Sequence, residues 1–285
     1  MDAFAQLTRG CNFGKRNKEV QKKLSSNRSR NTTVAAPATS TDFFGQSEAK
    51  PQPDPEPEVE QESEEEEDEN GLLAEAIGEV DAAPGAMSRD QATKLRKRLA
   101  IAIEGSDCPD PMRSFDELGP VYEMPEFLTK SVRSMKYTVP SKIQMQAIPA
   151  MARGREVLCC APTGSGKTAA FLIPLLARLK APTKRKGTPR GLVVLPTAEL
   201  ALQTQREAQK LIGDDNDRWR CLALTKASRK TLSERRVDVL VSTPGAMLGV
   251  IDQLTLSSVE VLVFDEADKL FELGFLEQVL STADR

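Results

Sequence analysis

Two short stretches carry residues whose types and spacing can handle a polyphosphate. The first is Ala161-Pro162-Thr163-Gly164-Ser165-Gly166-Lys167-Thr168. Gly164 and Gly166 reach backbone conformations barred to other residues, so successive N–H groups can converge on one anion. Lys167 adds a positive charge on a long stem, suited to β- and γ-phosphates, and the Thr168 hydroxyl can ligate Mg2+. The strict form of this pattern opens with Gly, and Ala161 stands there instead. A plain glycine-rich turn is the simpler reading. The apolar run before the loop and the helical pattern after it favour the phosphate site, because a helix start adds its dipole to the cradle.

The second stretch, Val261-Leu262-Val263-Phe264-Asp265-Glu266-Ala267-Asp268, is an apolar strand pattern ending in acids. A strand of this kind delivers its carboxylates to the carboxyl edge of a parallel sheet, where α/β proteins bind ligands. Asp265 is placed to hold Mg2+, partly through water, and Glu266 to orient or deprotonate a water. Alone, the acids read equally well as a favourable helix start. Paired with the phosphate loop they complete a site for Mg2+ and a nucleoside triphosphate, with Lys167, Asp265 and Glu266 as catalytic candidates.

Such a site needs strands to end beside one another. Apolar runs at Glu156–Cys160, Gly191–Leu195, Arg220–Leu224, Val237–Thr243 and Val259–Asp265 lack strict alternation, as strands buried on both faces do. Helical patterns over 141–152, 167–180, 199–212, 227–236 and 269–280 lie between them. The alternation predicts an α/β fold, a parallel sheet flanked by helices, over residues 112–285.

The preceding 111 residues differ in kind. They carry a net charge of −8 against +5 for residues 112–285. Residues 1–30 are basic; residues 48–69 hold twelve acidic residues and one Lys. Self-repulsion and scarce apolar residues predict a disordered tail over 1–88. Within it, Asp42-Phe43-Phe44-Gly45 reads as a docking element for a protein partner. Residues 89–111 read as a short basic helix over 89–104 (with Lys94, Arg96, Lys97 and Arg98) and a turn-rich linker over Asp107–Pro111.

Other classes are excluded or disfavoured. His is absent, which removes imidazole catalysis and His-ligated metal sites. No run of 18 apolar residues predicts a membrane span, and the N-terminus lacks the apolar core of a signal peptide. The five cysteines show no metal-ligand spacing and are expected to be small buried hydrophobes in a reducing compartment.

Asp265-Glu266-Ala267-Asp268 resembles the name-giving motif of the DEAD-box ATP-dependent RNA helicases. Tyr137-Thr138-Val139-Pro140-Ser141-Lys142-Ile143-Gln144 resembles that family's Q motif, with Phe115 as its upstream aromatic. Pro196-Thr197-Ala198-Glu199-Leu200-Ala201 resembles motif Ia, and Ser242-Thr243-Pro244-Gly245 motif Ib. The ordered set, covering about residues 113–280, implies a first RecA-like domain. It implies that Gln144 reads adenine, that Tyr137 stacks on it, and that residues 161–168 hold ATP with Mg2+. It implies RNA backbone contacts from Pro196, Thr197, Glu199, Thr243, Pro244 and Gly245. The starts at residues 1–10 and 42–45, with Gly105–Pro111 and Gln144–Pro149, resemble the nucleolar Rok-type branch. That likeness implies pre-ribosomal RNA, small-subunit assembly proteins and the nucleolus.

The pattern also departs from the family. Lys136 stands where Gly is usual, and Ala198 and Ala246 where Arg is usual. Arg190 and Lys226 are the neighbouring cations that could compensate for the two lost arginines. Thr225–Ser228 occupies the region of a Gly-Gly motif. A Ser-Ala-Thr motif is not found before Arg285, and the second RecA-like domain with its arginine finger, worth about 10³–10⁵ in rate, is expected to be missing. The chain alone is therefore expected to turn over poorly. The alternatives are a truncated, non-catalytic module that binds RNA or partners, and another phosphate-loop ATPase such as a DNA helicase.

Overall fold

The computed structural model describes residues 71–78, 83, 85–213 and 219–272. The features read at 1–30, 42–45 and 48–69, and the segment after Glu272, lie outside the described residues.

Helix α1 covers 71–78 and α2 covers Arg89–Arg98; α3 is Glu126–Ser134, α4 Lys142–Ala152 and α5 Lys167–Leu179. There follow β1 (Gly191–Val194), α6 (Ala198–Ile212), β2 (Cys221–Ala223), β3 (Val239–Ser242), α7 (Pro244–Leu248), β4 (Val261–Phe264) and α8 (Ala267–Glu272). The four strands are parallel in the order β2-β3-β1-β4. Consecutive strands are joined by crossover segments (α6, a 3₁₀ turn over Ser228–Glu234, and α7), as parallel pairing requires.

Alternation along the strands sorts their side chains onto two faces. Val193, Leu195, Val239 and Val241 pack with Leu172, Ile173 and Leu176 of α5 and Leu211 of α6. Leu192, Val194 and Leu240 face the other way, onto Met247, Val250 and Leu270. Both faces are covered, which is why these strands read as unbroken apolar runs.

Several expectations need correction. Glu156–Cys160 joins no ladder: Val157 is 41% and Leu158 86% exposed, and Cys159 and Cys160 are exposed as well. A run of apolar residues becomes a strand only where a neighbour meets its N–H and C=O groups, and among the described residues the sheet ends at β4. The expected burial of these two cysteines fails for the same reason, whereas Cys221 on β2 is buried. Residues 227–236 form a tighter 3₁₀ turn, Ser228–Glu234, because Thr225 and Ser228 bind local backbone: the Thr225 N–H donates to Ser228 Oγ at 2.8 Å, and that hydroxyl donates to the Ala223 carbonyl at 3.2 Å. Finally, residues 71–78, assigned to the disordered tail, are helical. Leu73 and Ala76 are buried with Met87, Ala92, Leu95, Leu99 and Met145.

Helix α2 is shorter than the expected 89–104. Ser88 and Gln91 open it with reciprocal side-chain bonds of 3.2 and 2.9 Å. Ala100, at φ 54°, closes it in the left-handed region. Helix α3 was not anticipated. Its apolar positions Leu128 and Val132 fall one turn apart and are buried, but the surrounding sequence is polar.

Candidate functional site

Register brings the candidate residues to one edge. Val194 of β1 pairs level with Ser242 of β3 and with Phe264 of β4. The next residues along each strand are therefore Thr243, Asp265 and, after a short turn, Thr197. Helix α5 packs between this sheet and α4, and its N-terminus is the phosphate loop.

The loop has the backbone it needs. Gly164 and Gly166 sit at φ 78° and 81°, where a side chain costs about 1–2 kcal/mol. Gly166 also caps α5. The Lys167 ammonium donates to the carbonyls of Ala161 at 2.6 Å and Pro162 at 2.8 Å, so its charge lies across the loop. The Ser165 hydroxyl donates to the Pro162 carbonyl at 2.9 Å, which tightens the turn. Thr168 follows Lys167 in the first turn of α5.

A second group, 24 residues upstream, is tied to this loop. The Ser141 hydroxyl donates to the Ser165 carbonyl at 2.7 Å, and the Gln144 amide donates to the Gly166 carbonyl at 3.1 Å. Gln144 Oε1 accepts the Ser141 N–H at 2.9 Å, so the same two residues cap α4. A β-carbon on Gly166 would lie 2.4 Å from Gln144 Nε2, so only glycine fits there without displacing the glutamine. Ser141 is a site residue that sequence reasoning misses, because its bond to Ser165 is a tertiary contact that spacing does not reveal.

Tyr137 lies half-buried near the start of α4, with its ring centroid 5.6 Å from that of Phe115. Burial, with Glu207 nearby, raises its phenol above the usual value against the pull of Lys210. Lys136 beside it has φ 57°. It follows the end of α3, where a left-handed residue closes the helix, and this explains why glycine suits the position.

On the acidic side, burial raises the Asp265 carboxyl above its ordinary value, and the charges of Glu266 and Asp268 add to this. The Glu266 N–H, which donates to Asp265 Oδ1 at 3.0 Å, and the Lys167 charge pull the other way. The influence of Lys167 on Asp265 places loop and carboxylate in one electrostatic site. Glu266 has φ 49°, and its Oε2 accepts from Lys269 Nζ at 2.8 Å.

Thr197 and Thr243 each cap a helix: Thr197 Oγ1 accepts the Leu200 N–H at 3.3 Å, and Thr243 Oγ1 the Ala246 N–H at 3.3 Å. Thr197, Glu199 and Gly245 are exposed; Pro196 and Pro244 are buried beneath them. Of the two cations considered as compensation, Arg190 is committed elsewhere. At the opposite, N-terminal end of β1 it pairs with Glu260 and donates to the Leu179 and Ala181 carbonyls. Lys226 is exposed just beyond β2, on the same edge as Thr197 and Thr243.

Among the described residues no cluster of three or more acidic or cysteine side chains could cage a metal by itself. A hydroxyl from Thr168 and a carboxylate from Asp265 are hard oxygen donors. They fit an Mg2+ ion that takes its remaining ligands from phosphate and water.

A glycine loop opening a helix, facing a carboxylate at the carboxyl edge of a parallel sheet, defines a RecA-like phosphate-loop nucleotide-binding domain. The family model for DEAD/DEAH box helicases matches residues 141–285, more than half of the chain, and the chain belongs to that family. It is 38% identical over 210 residues to the ATP-dependent RNA helicase ROK1 of Meyerozyma guilliermondii, covering 72% of this chain and 39% of that protein. It is 40% identical over 205 residues to the probable ATP-dependent RNA helicase DDX52 of Mus musculus, covering 68% of this chain and 34% of the relative. The chain thus spans well under half the length of these relatives. Among solved structures, the yeast DEAD-box splicing factor Prp28 superposes with a TM-score of 0.62 at 29% identity, covering 72% of this chain and 50% of that one.

Proposed function

We propose that this chain supplies the ATP-binding first RecA-like domain of an ATP-dependent RNA helicase acting in ribosomal RNA processing and small-subunit assembly, in the nucleolus. The observation that carries the reading is the pair of bonds from Ser141 and Gln144 to the phosphate loop. They place a side-chain amide, which both donates and accepts, beside a triphosphate cradle.

In this reading Gln144 reads the adenine edge and Tyr137 supplies a flat face for the ring. The loop from Ala161 to Thr168 wraps the phosphates, with Lys167 moving from its two carbonyls onto the β- and γ-phosphates. Thr168 and Asp265 would hold Mg2+, which would supply positive charge against the phosphate oxygens. Glu266 orients the attacking water. The helix starts at exposed Thr197 and half-buried Thr243, with exposed Glu199 and Gly245 beside them, line an RNA backbone track over Pro196 and Pro244. Hydroxyls and helix N-termini bind phosphates there without reading bases. Lys226 supplies the cation at this edge that Ala198 and Ala246 do not. The ribosomal assignment rests on the likeness to ROK1 and DDX52, and the tail is the docking region for assembly proteins.

The 285 residues by themselves bind nucleotide and turn it over slowly, because RNA remodelling needs a second RecA-like domain to close on this one. The test is ATP hydrolysis with and without single-stranded RNA, for this chain, its Lys167→Ala and Glu266→Gln variants, and each mixed with a separately made second RecA-like domain of a ROK1-type relative. Activity that appears on mixing and disappears in both variants supports the assignment. RNA-stimulated turnover that survives Lys167→Ala overturns it. A mixture that binds ATP and RNA but stays inactive favours the non-catalytic module.

A further inference from the structure

Helix α4 is gripped from two sides. One side faces the phosphate loop through Ser141 and Gln144. The other faces the segment upstream of the sheet domain, through Met145 and Gln146. Residues two apart on a helix point roughly 200° from one another, so Gln144 and Gln146 cannot serve the same neighbour.

The contacts around Gln146 form a closed set. Arg96 Nε, on α2, donates to Gln146 Oε1 at 2.8 Å. Arg96 Nη2 donates to the Pro109 carbonyl at 2.7 Å, and Gln146 Nε2 donates to that same carbonyl at 2.9 Å and to Cys108 Sγ at 3.2 Å. Next to it the Met112 N–H donates to the Met145 carbonyl at 2.7 Å, and the Met145 side chain is fully buried among Leu73, Leu95 and Leu99. Gln146 is 8% exposed. Without Arg96 its amide oxygen is buried with no donor, and a buried polar group in that position moves or draws in water. Either response shifts α4, and with it Gln144, relative to the loop.

Building on the function proposed above, we infer that Arg96 is a positioning residue for base recognition. It acts through Gln146 to hold α4 at the distance from the phosphate loop at which Gln144 can read adenine. Its effect is therefore on the base and not on the phosphates. The α2 segment, read from its charge as a basic helix, contributes one of its five cations inward. The planar guanidinium suits this task because one fork serves two acceptors on different segments, which a lysine ammonium does not reproduce.

The experiment uses the full 285-residue chain. Affinities for ATP, GTP and inorganic tripolyphosphate are measured for wild type, Arg96→Ala, Arg96→Lys, Gln146→Ala and the Arg96→Ala/Gln146→Ala double variant, with thermal melts run in parallel. Wild type is expected to prefer ATP over GTP. Arg96→Ala is expected to reduce that preference about tenfold, Arg96→Lys by several-fold, and both to leave tripolyphosphate affinity within twofold. The double variant is expected to match Gln146→Ala. Two outcomes overturn the inference while leaving the nucleotide site intact: an unchanged ATP preference in Arg96→Ala, or a parallel loss of ATP, GTP and tripolyphosphate binding. A wild-type chain with no preference for ATP overturns the underlying assignment of Gln144 instead.

Discussion

Replacing Gly166 by alanine puts the geometry between the phosphate loop and α4 to a quantitative test. At φ 81° the new side chain is strained, by about 1–2 kcal/mol. The stiffer residue recovers about 0.4–1 kcal/mol through the unfolded chain. Gly164→Ala, at φ 78° and with nothing within 4 Å of the added carbon, should show only the balance of those two effects, about 0.5–1 kcal/mol of destabilisation. At Gly166 the added carbon falls 2.4 Å from Gln144 Nε2 and 3.3 Å from Ser141 Oγ. Gln144 must leave, and its bonds to the Gly166 carbonyl and the Ser141 N–H go with it. At about 1 kcal/mol each, those two bonds bring the total to roughly 2–3 kcal/mol. Denaturant unfolding reads both costs through the single tryptophan, Trp219, which is buried against Phe127. In a Gln144→Ala background the cost of Gly166→Ala should fall back to that of Gly164→Ala, a coupling of about 1–2 kcal/mol. Equal costs for the two glycines, or additive behaviour in the cycle, would refute the placement of Gln144 against the loop.

Three further outcomes are expected. Because burial raises the Asp265 carboxyl, the folded chain holds this proton more tightly than the unfolded chain. Stability from this group therefore falls as pH rises from its ordinary value through the raised one, and the cost is complete above that. Asp265→Asn should be more stable than wild type at pH 7, with the gap closing as pH drops through the carboxylate range; equal melting temperatures at pH 7 would contradict this. Lys136→Gly should raise stability by about 0.5–1 kcal/mol, since glycine takes the left-handed turn after α3 without strain; a lower melting temperature would count against the strain. Arg190→Ala should lower stability by about 1.5–3 kcal/mol through lost charge-assisted bonds, while RNA affinity of the folded fraction stays unchanged. A selective loss of RNA binding would put Arg190 back on the RNA track.

What was legible in the sequence was local. The phosphate loop declares itself because Gly164, Gly166, Lys167 and Thr168 act within five consecutive residues. Strands β1 and β3 were legible because burial on both faces leaves unbroken Leu and Val runs, and β4, half-buried at the end of the described sheet, carries the same pattern. Helices α4, α5 and α6 matched their periodic patterns closely. What stayed hidden depended on partners distant in the chain. The bond from Arg96 to Gln146 spans 50 residues, and composition presented Arg96 only as one more surface cation. Leu73 looked unburied because its neighbours Leu95, Leu99 and Met145 belong to other elements. Glu156–Cys160 has the composition of a strand, but strand formation is a property of a pair. Arg190 sits next to β1 in sequence, yet direction along a parallel strand puts it at the far end from the site.

The shared level of Val194, Ser242 and Phe264 makes the sheet a ruler. Each residue advances a strand by about 3.3 Å, which is more than the tolerance of a phosphate or metal contact. A slip of one position in β1, β3 or β4 would leave a hydrophobic sheet hydrophobic and still move Thr197, Thr243 or Asp265 out of reach. The accuracy of this site is thus stored in buried valines and leucines that never meet a ligand. Conservative changes among them deserve to be screened by function and not by folding alone.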